Sequence, residues 1–95
     1  GPAARIVFLD QKKYCGCNAD QIASAWQVVE SVRKRRPSLS VERVHVDVDR
    51  EREAKMRTVR NFWILPAIYV FDARGKLVAL LQGNLTETEI QGALR

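Results

Sequence analysis

The sequence has few of the residues that build closed metal sites, since its 95 residues include two cysteines and one histidine. A structural zinc ion takes four ligands, so such a site would lack a third cysteine or a second histidine. Long hydrophobic runs are also missing. No apolar run is longer than that from Ala67 to Phe71, whereas a membrane-crossing helix needs about 20 apolar residues. The sequence therefore predicts neither a complete zinc site nor membrane insertion.

The chain contains no repeat, linker or low-complexity segment, and its 46% hydrophobic and 28% charged residues are typical of one folded domain. The net charge of +5 permits attraction to acidic partners. Its densest cluster, Arg33 to Arg36, stands where a helix is expected to end, and cations are favourable there. Aromatic residues do not alternate with this cluster and no zinc-finger or RNP-like motif is present, so nucleic-acid binding is not expected.

The first two residues, Gly1-Pro2, look like the scar left by cleavage of an expression tag. We therefore expect residues 1–4 to be a tag remnant and N-terminal tail, and residues 5–95 to form a single domain. We expect this domain to be a monomer, either alone or as part of a longer chain.

Four segments have the composition of β-strands. Residues 6–9 form a continuous apolar run, which is typical of a strand covered on both faces. In residues 43–48, valine alternates with polar residues, which indicates a second strand. The segments 67–71 and 76–81 are rich in strand formers and flank Asp72-Ala73-Arg74-Gly75, so they predict a hairpin with a tight turn.

Three helices are predicted from caps and apolar spacing. Asn18 is a suitable N-cap with Gln21 in the capping-box position, and Thr86 with Glu89 forms the same pattern near the C-terminus. Pro37 stops the first helix. The predicted helices cover residues 18–36, residues 50–60 after an opening Asp49, and residues 86–94.

The predicted order is strand, helix, strand, helix, strand, strand, helix. A βαβ unit with a right-handed crossover is thus followed by a second helix, a hairpin and a terminal helix. This order predicts an α/β protein with three layers, α/β/α, around a four-stranded mixed sheet.

The two cysteines, Cys15 and Cys17, follow a buried strand and precede a predicted helix. Unpaired N–H groups, the positive end of the helix dipole and the neighbouring Lys12 and Lys13 all lower the pKa of a thiol. We expect Cys15 to be the more reactive. A second sulfur nearby allows a disulfide to form and to exchange with a substrate, and Gly16 eases the backbone of so small a ring.

Two other interpretations of the pair stay open. A static disulfide across so short a loop removes little entropy from the unfolded chain, so its stabilising value is low. A metal site is the second, because two thiols can share copper or zinc with another molecule, although the pair and His45 do not complete a zinc site alone.

These motifs resemble the thioredoxin family. Tyr14-Cys15-Gly16-Cys17 stands in the place of its Trp-Cys-Gly-Pro-Cys, and residues 59–67 stand in the place of the segment that leads into its cis-proline. Residues 72–78 resemble the family's hairpin, and Gly83 follows in the matching position. The resemblance covers residues 5–95 and lacks the extra N-terminal strand and helix of full thioredoxins, so it indicates a minimal form.

The resemblance implies roles for particular residues. Cys15 would be the attacking nucleophile, Cys17 the resolving thiol and Pro66 a cis-proline packed against them. Leu65 would offer its backbone to an extended substrate peptide. The surrounding substrate-binding surface would include Tyr14, Gly16, Trp63 and exposed parts of Phe62, whereas Trp26 is expected in the core. No organic cofactor is implied, and the partners would be thiols and disulfides of other proteins.

The departures from the family concern ring size and proton transfer. One residue between the cysteines makes a smaller, more strained ring, which predicts a more oxidising couple. The family's buried acid corresponds to Leu9. The adjacent Asp10 is expected on the opposite face unless the shortened motif shifts the register, and it is a candidate for proton transfer. His45 stands where the family often has lysine, so it is a candidate for proton transfer or else a solvent-facing or paired strand residue. Asp47 is expected on the same strand face as a structural residue.

Three functions of different classes follow. The first is a thiol–disulfide oxidoreductase that uses Cys15 and Cys17 for exchange, reduction or isomerisation of disulfides. The second is a non-catalytic thioredoxin-like interaction domain of a larger protein, in which the cysteines are incidental. The third is a module that binds and transfers copper or zinc through Cys15 and Cys17.

Overall fold

A computed structural model of the chain describes residues 2–13 and 16–95. Its four strands form a sheet in the order β2-β1-β3-β4, in which β1 and β2 are parallel and the other pairs are antiparallel. The α/β fold with a mixed four-stranded sheet and three helices confirms the prediction. In chain order the elements are β1 (Arg5–Asp10), α1 (Gly16–Arg35), β2 (Ser40–His45), α2 (Arg50–Val59), β3 (Ala67–Phe71), β4 (Leu77–Gln82) and α3 (Glu87–Ala93).

Strand β1 lies in the middle of the sheet and divides two apolar cores. Its side chains alternate between the two faces, as a strand requires. Ile6 and Phe8 belong to a core that includes residues of α1 and α3. Val7 and Leu9 belong to the opposite core, which includes Met56 of α2. Both faces are therefore covered, which explains the continuous apolar run of β1.

Strand β2 and helix α1 differ from their predicted bounds. The alternation of valines predicted a strand through Val48, but β2 ends at His45. The N–H groups of Val48 and Asp49 both donate to the carbonyl of His45, at 3.0 and 2.8 Å, so the chain turns there. Helix α1 begins at Gly16 rather than after Asn18. The prediction of Asn18 as its N-cap is therefore wrong.

The other two helix starts are those predicted. Asp49 precedes α2 and accepts a hydrogen bond from the N–H of Arg52 at 3.1 Å. Thr86 and Glu89 form a reciprocal capping box at the start of α3. Because each cap satisfies N–H groups that the helix itself leaves unpaired, the local sequence was enough to predict where α2 and α3 begin.

Two residues before β1, Ala3 and Ala4, make contacts with the rest of the chain. The side chain of Ala3 is buried, and its N–H donates to the carbonyl of Arg95 at 3.1 Å. The N–H of Ala4 donates to the carbonyl of Phe71 at 2.8 Å. Arg36, from the basic cluster, donates to the carbonyls of Ala3 and Leu94. Ala3 and Ala4 therefore belong to the folded unit.

Over residues 2–13 and 16–95, none of the helices combines the length and the apolar character that a membrane span requires.

Candidate functional site

The candidate site lies at the end of the sheet where β1 leads into α1. Tyr14 and Cys15 lie outside the described residues. Gly16 is the first residue of α1, and the backbone of Cys17 follows in the first helical turn. In the sequence, Cys15 directly precedes this helix. The unpaired N–H groups and the dipole of a helix N-terminus favour negative charge. Lys12 and Lys13 precede them and are exposed.

The segment before β3 carries the predicted cis-proline. The Leu65–Pro66 peptide bond is cis, and Pro66 is buried. Its carbonyl accepts a hydrogen bond from the N–H of Gly83 at 2.9 Å. Gly83 has a φ of +83°, and a Cβ placed there would lie 3.1 Å from Cγ2 of Ile64. Gly83 is thus required both by its backbone conformation and by the close approach of this segment.

The apolar surface beside the proline differs from the predicted one in one described residue. Trp63 is 81% exposed, as expected, and the neighbouring Ile64 is 54% exposed. Phe62 is buried in the core that includes Met56, and the guanidinium of Arg57 lies 3.8 Å from its ring centroid. The prediction of Phe62 as part of the exposed surface is therefore wrong. Ile64, which the sequence analysis did not single out, takes its place.

A hydrogen bond fixes the backbone of this segment against β4. The N–H of Trp63 donates to Oε1 of Gln82 at 2.7 Å. Leu65 is partly buried and packs against the core that contains Met56. An open groove of about 380 Å³ adjoins the segment, and its lining includes Gln11, Asp47, Arg50, Arg57, Trp63 and Ile64.

A buried charged cluster lies at the carboxyl end of β1. Asp10 is fully buried, on the face opposite to Leu9, as strand alternation requires. Its Oδ2 accepts hydrogen bonds from Nε and Nη2 of Arg43, at 2.9 and 2.6 Å. Its Oδ1 lies 2.6 Å from Nδ1 of His45. Both carboxylate oxygens of Asp10 are therefore occupied by residues of the adjacent strand.

Arg43 was not predicted as a site residue, and aromatic rings hold it in place. Its guanidinium carbon lies 4.5 Å from the ring centroid of Trp26 and 5.8 Å from that of Phe8. The two rings themselves meet edge to face, with centroids 5.1 Å apart. The signal in the sequence was the spacing of Arg43 and His45 on one strand face, next to an acid that ends the neighbouring strand.

Asp47 connects residues 11–13, which precede the cysteines in the chain, to the turn after β2. Its Oδ1 accepts from the N–H of Lys12 at 2.8 Å, and its Oδ2 accepts from the N–H of Lys13 at 3.0 Å. The hydrogen bond from Lys12, followed by that from Lys13, lowers the pKa of the Asp47 carboxyl below its ordinary value. The expected position of Asp47 on the strand face is wrong, because the strand has already ended at His45.

Among the side chains that the structure describes, which do not include those of residues 14, 15, 17 and 18, no three of His, Asp or Glu come close enough together to hold a metal ion.

The chain has a thioredoxin-like fold, as comparison with solved structures shows. The X-ray structure of Fasciola hepatica thioredoxin matches with a TM-score of 0.72 and 22% identity, covering 95% of this chain and 76% of that one. The solution structure of the oxidised thioredoxin from Plasmodium falciparum gives a TM-score of 0.71 and 20% identity, with coverage of 95% and 76%.

Thioredoxin 1 from the thermophilic eubacterium Thermosipho africanus gives a TM-score of 0.70 and 13% identity, covering 95% of this chain and 89% of that one. No protein-family model and no curated protein matches the sequence.

Proposed function

We propose that this chain is a thiol–disulfide oxidoreductase that uses Cys15 and Cys17 to exchange disulfides with other proteins. The observation that carries the proposal is the position of the pair in the chain. Cys15 directly precedes α1 in the sequence and Cys17 follows Gly16 in the first turn of that helix, in a thioredoxin-like fold that also has a cis Leu65–Pro66 bond. A helix N-terminus favours the thiolate, which is the species that attacks disulfides.

Reduction of a substrate disulfide proceeds in two exchanges. The Cys15 thiolate attacks one substrate sulfur, forms a mixed disulfide and releases the other substrate sulfur as a thiolate, which takes a proton. The Cys17 thiolate then attacks the sulfur of Cys15 and releases the remaining substrate sulfur. Two electrons pass from the enzyme dithiol to the substrate, and the enzyme is left with a Cys15–Cys17 disulfide. The reverse sequence oxidises a substrate dithiol.

The segment around the cis-proline is proposed to bind the substrate. Leu65 offers its backbone to an extended substrate peptide, in the manner of strand addition. Exposed Trp63 and Ile64 supply apolar contact beside it. Tyr14 and Gly16 complete the proposed binding surface on the side of the cysteines.

His45 and Asp10 are proposed to serve proton transfer. Arg43 pairs with Oδ2 of Asp10, and Oδ1 faces Nδ1 of His45. In this proposal, the Nδ1 proton of His45 lies in this contact. That bond leaves Nε2 of the imidazole as the nitrogen that takes or gives a proton. The side chain of His45 is 36% exposed, so the proton can be exchanged with water.

The test equilibrates the chain in glutathione buffers of graded potential, followed by alkylation and intact mass measurement. A reversible two-electron transition, abolished in C15S and C17S, supports the proposal. An intermediate with one bound glutathione that accumulates in C17S identifies Cys15 as the attacking thiol. Thiols that stay free in every buffer, or that only gain glutathione, contradict it.

A non-catalytic interaction domain is the second candidate, and the exposed Trp63 and Ile64 favour it, since they provide an apolar surface without any need for cysteine chemistry. This candidate predicts that C15S leaves binding to a captured partner unchanged. The oxidoreductase predicts a change, because its partner is held through a mixed disulfide with Cys15.

A further inference from the structure

Among the described side chains, that of Asp47 is the one that accepts hydrogen bonds from the backbone of the loop of residues 11–13, which precedes the cysteines. Each of its oxygens accepts a separate N–H, from Lys12 and from the next residue, Lys13. We propose that Asp47 is a positioning residue, which holds this loop so that Cys15 stays within reach of Cys17. This inference rests on the proposed function and assigns to Asp47 a part in closing the disulfide.

Asp47 is well placed to serve as a fixed point, because hydrogen bonds hold the backbone on both sides of it. Before it, the N–H of Val46 donates to the carbonyl of Asp10 at 2.8 Å. After it, the N–H groups of Val48 and Asp49 donate to the carbonyl of His45, at 3.0 and 2.8 Å. The turn that carries Asp47 is therefore tied to the ends of both parallel strands.

The loop itself needs an external partner. Gln11, Lys12 and Lys13 lie between β1 and α1, outside any strand or helix, so a regular ladder does not satisfy their N–H groups. A carboxylate that accepts two consecutive N–H groups fixes the orientation of that backbone as well as its distance from the carboxylate. Cys15 follows Lys13 after a single residue, so the position of this backbone bears directly on that of its sulfur.

Asp47 is exposed, so its contribution to the free energy of unfolding is expected to be small. Its effect on closure of the small Cys15–Cys17 disulfide ring is expected to be larger. When Cys15 is joined to glutathione, Cys17 must reach the sulfur of Cys15 and expel the glutathione thiolate. The rate and equilibrium of such an intramolecular step depend on how narrowly the two groups are held. Loss of the two hydrogen bonds therefore disfavours closure without unfolding the domain.

The experiment measures the effective concentration of Cys17 toward the Cys15–glutathione mixed disulfide. The reduced chain is equilibrated with glutathione and glutathione disulfide, which is the oxidant, and then quenched with acid. Intact mass gives the ratio of closed disulfide to singly glutathionylated chain. We expect D47A to lower this effective concentration about tenfold. D47N keeps one acceptor oxygen and is expected to lower it by a smaller factor.

Asp72 provides the matched control. It also accepts two backbone N–H groups, from Arg74 at 2.9 Å and Lys76 at 3.0 Å. It lies in the hairpin between β3 and β4, which adjoins the opposite end of β1. D72A and D72N remove the same chemistry from a distant loop, and we expect both to leave the effective concentration at the wild-type value.

Comparison of D47A with D47N distinguishes the effect of losing the charge from the effect of losing the hydrogen bonds. D47A and D47N remove the same charge, so a larger fall in D47A reports the lost acceptor. Equal values for D47N, D72N and wild type overturn the proposal, and this comparison stands even where D47A does not fold. A wild-type chain without any closed disulfide overturns the proposed function instead, so the two failures are distinct.

Discussion

Asp10 and His45 face each other across the parallel strands β1 and β2, with Oδ1 and Nδ1 2.6 Å apart. The carboxylate is fully buried and the imidazole is partly exposed. The pair therefore joins a buried carboxylate to a ring that reaches solvent. It lies at the end of β1, after which the cysteines follow in the chain. A histidine oriented by an acid in this way is suited to accept and release protons.

The first prediction concerns this pair. H45A is expected to slow the second exchange, in which Cys17 expels the substrate thiolate, by roughly tenfold or more. Stopped-flow measurement of thiolate release from the preformed mixed disulfide gives the rate. Added imidazole is expected to restore part of the rate in H45A and none in C17S. A rate in H45A equal to that of wild type contradicts a role for His45 in proton transfer.

The second prediction concerns the charge that neutralises Asp10. R43M keeps an apolar chain next to Trp26 but leaves the buried carboxylate without its cation. We expect a loss of about 3 kcal/mol in the free energy of unfolding, measured by urea denaturation. The double variant R43M/D10N carries no uncompensated buried charge and is expected to be more stable than R43M. If the double variant is instead the less stable of the two, the buried charge is not the source of the loss.

The third prediction separates backbone strain from contact at the site. Gly75 and Gly83 have φ values of +82° and +83°, but only a Cβ at Gly83 would meet a neighbour, Ile64 at 3.1 Å. G75A is expected to cost about 1 kcal/mol, and G83A is expected to cost more. In an I64A background the two costs become equal, which urea denaturation of six chains tests: wild type, G75A, G83A, I64A, I64A/G75A and I64A/G83A. A difference that persists in I64A rules out the Ile64 contact as its cause.

The fourth prediction is a pH dependence of stability. The hydrogen bond from Arg52 chiefly, and that from Arg5 next, lower the pKa of Glu42 below its ordinary value of 4.5, against an opposing effect of burial. Because the folded pKa lies below the unfolded one, Glu42 contributes stability above pH 4.5 that is lost as the pH falls through the folded pKa.

The variant E42Q removes this contribution, so its free energy of unfolding should fall less steeply than that of wild type as the pH drops through this range. Urea denaturation at graded pH measures the two slopes. Asp47 and Asp72 have lowered pKa values in both chains, so the comparison isolates Glu42. Parallel curves for wild type and E42Q contradict the assignment.

Local signals sufficed for most of the fold. The two strands of the hairpin, the turn at Gly75 and the capping box of Thr86 all depend on neighbours in the chain. The end of β2 was missed because the valine alternation continues through Val48, whereas a turn around the carbonyl of His45 ends the strand. Periodicity describes which residues are apolar and does not register such a turn.

The candidate site was less predictable, because its contacts join residues far apart in the sequence. Arg43 meets Asp10 across two strands, and Asp47 meets Lys12 across two loops. Phe62 and Trp63 are adjacent aromatic residues, yet one is buried and the other is exposed. Composition could not separate them, since the difference depends on how the chain approaches the cis Leu65–Pro66 bond and the core below it.

The last prediction concerns Trp63, whose 81% exposure is unusual for so large an apolar side chain. W63A removes little buried surface, so the free energy of unfolding should change by less than about 0.5 kcal/mol. The redox equilibrium of the two cysteines with glutathione should also stay as in wild type, because glutathione is too small to contact the surface beside Pro66.

Reduction of a disulfide held in an extended peptide is different, since the peptide contacts Trp63 and Ile64. We expect W63A to raise KM for such a peptide severalfold with little change in kcat, because the lost contact is made in both the bound and the reacting state. V78A removes an exposed apolar side chain from β4 and is the matched control, with KM unchanged. If W63A changes the reaction with glutathione as much as it changes reduction of the peptide disulfide, Trp63 has no role in binding the peptide.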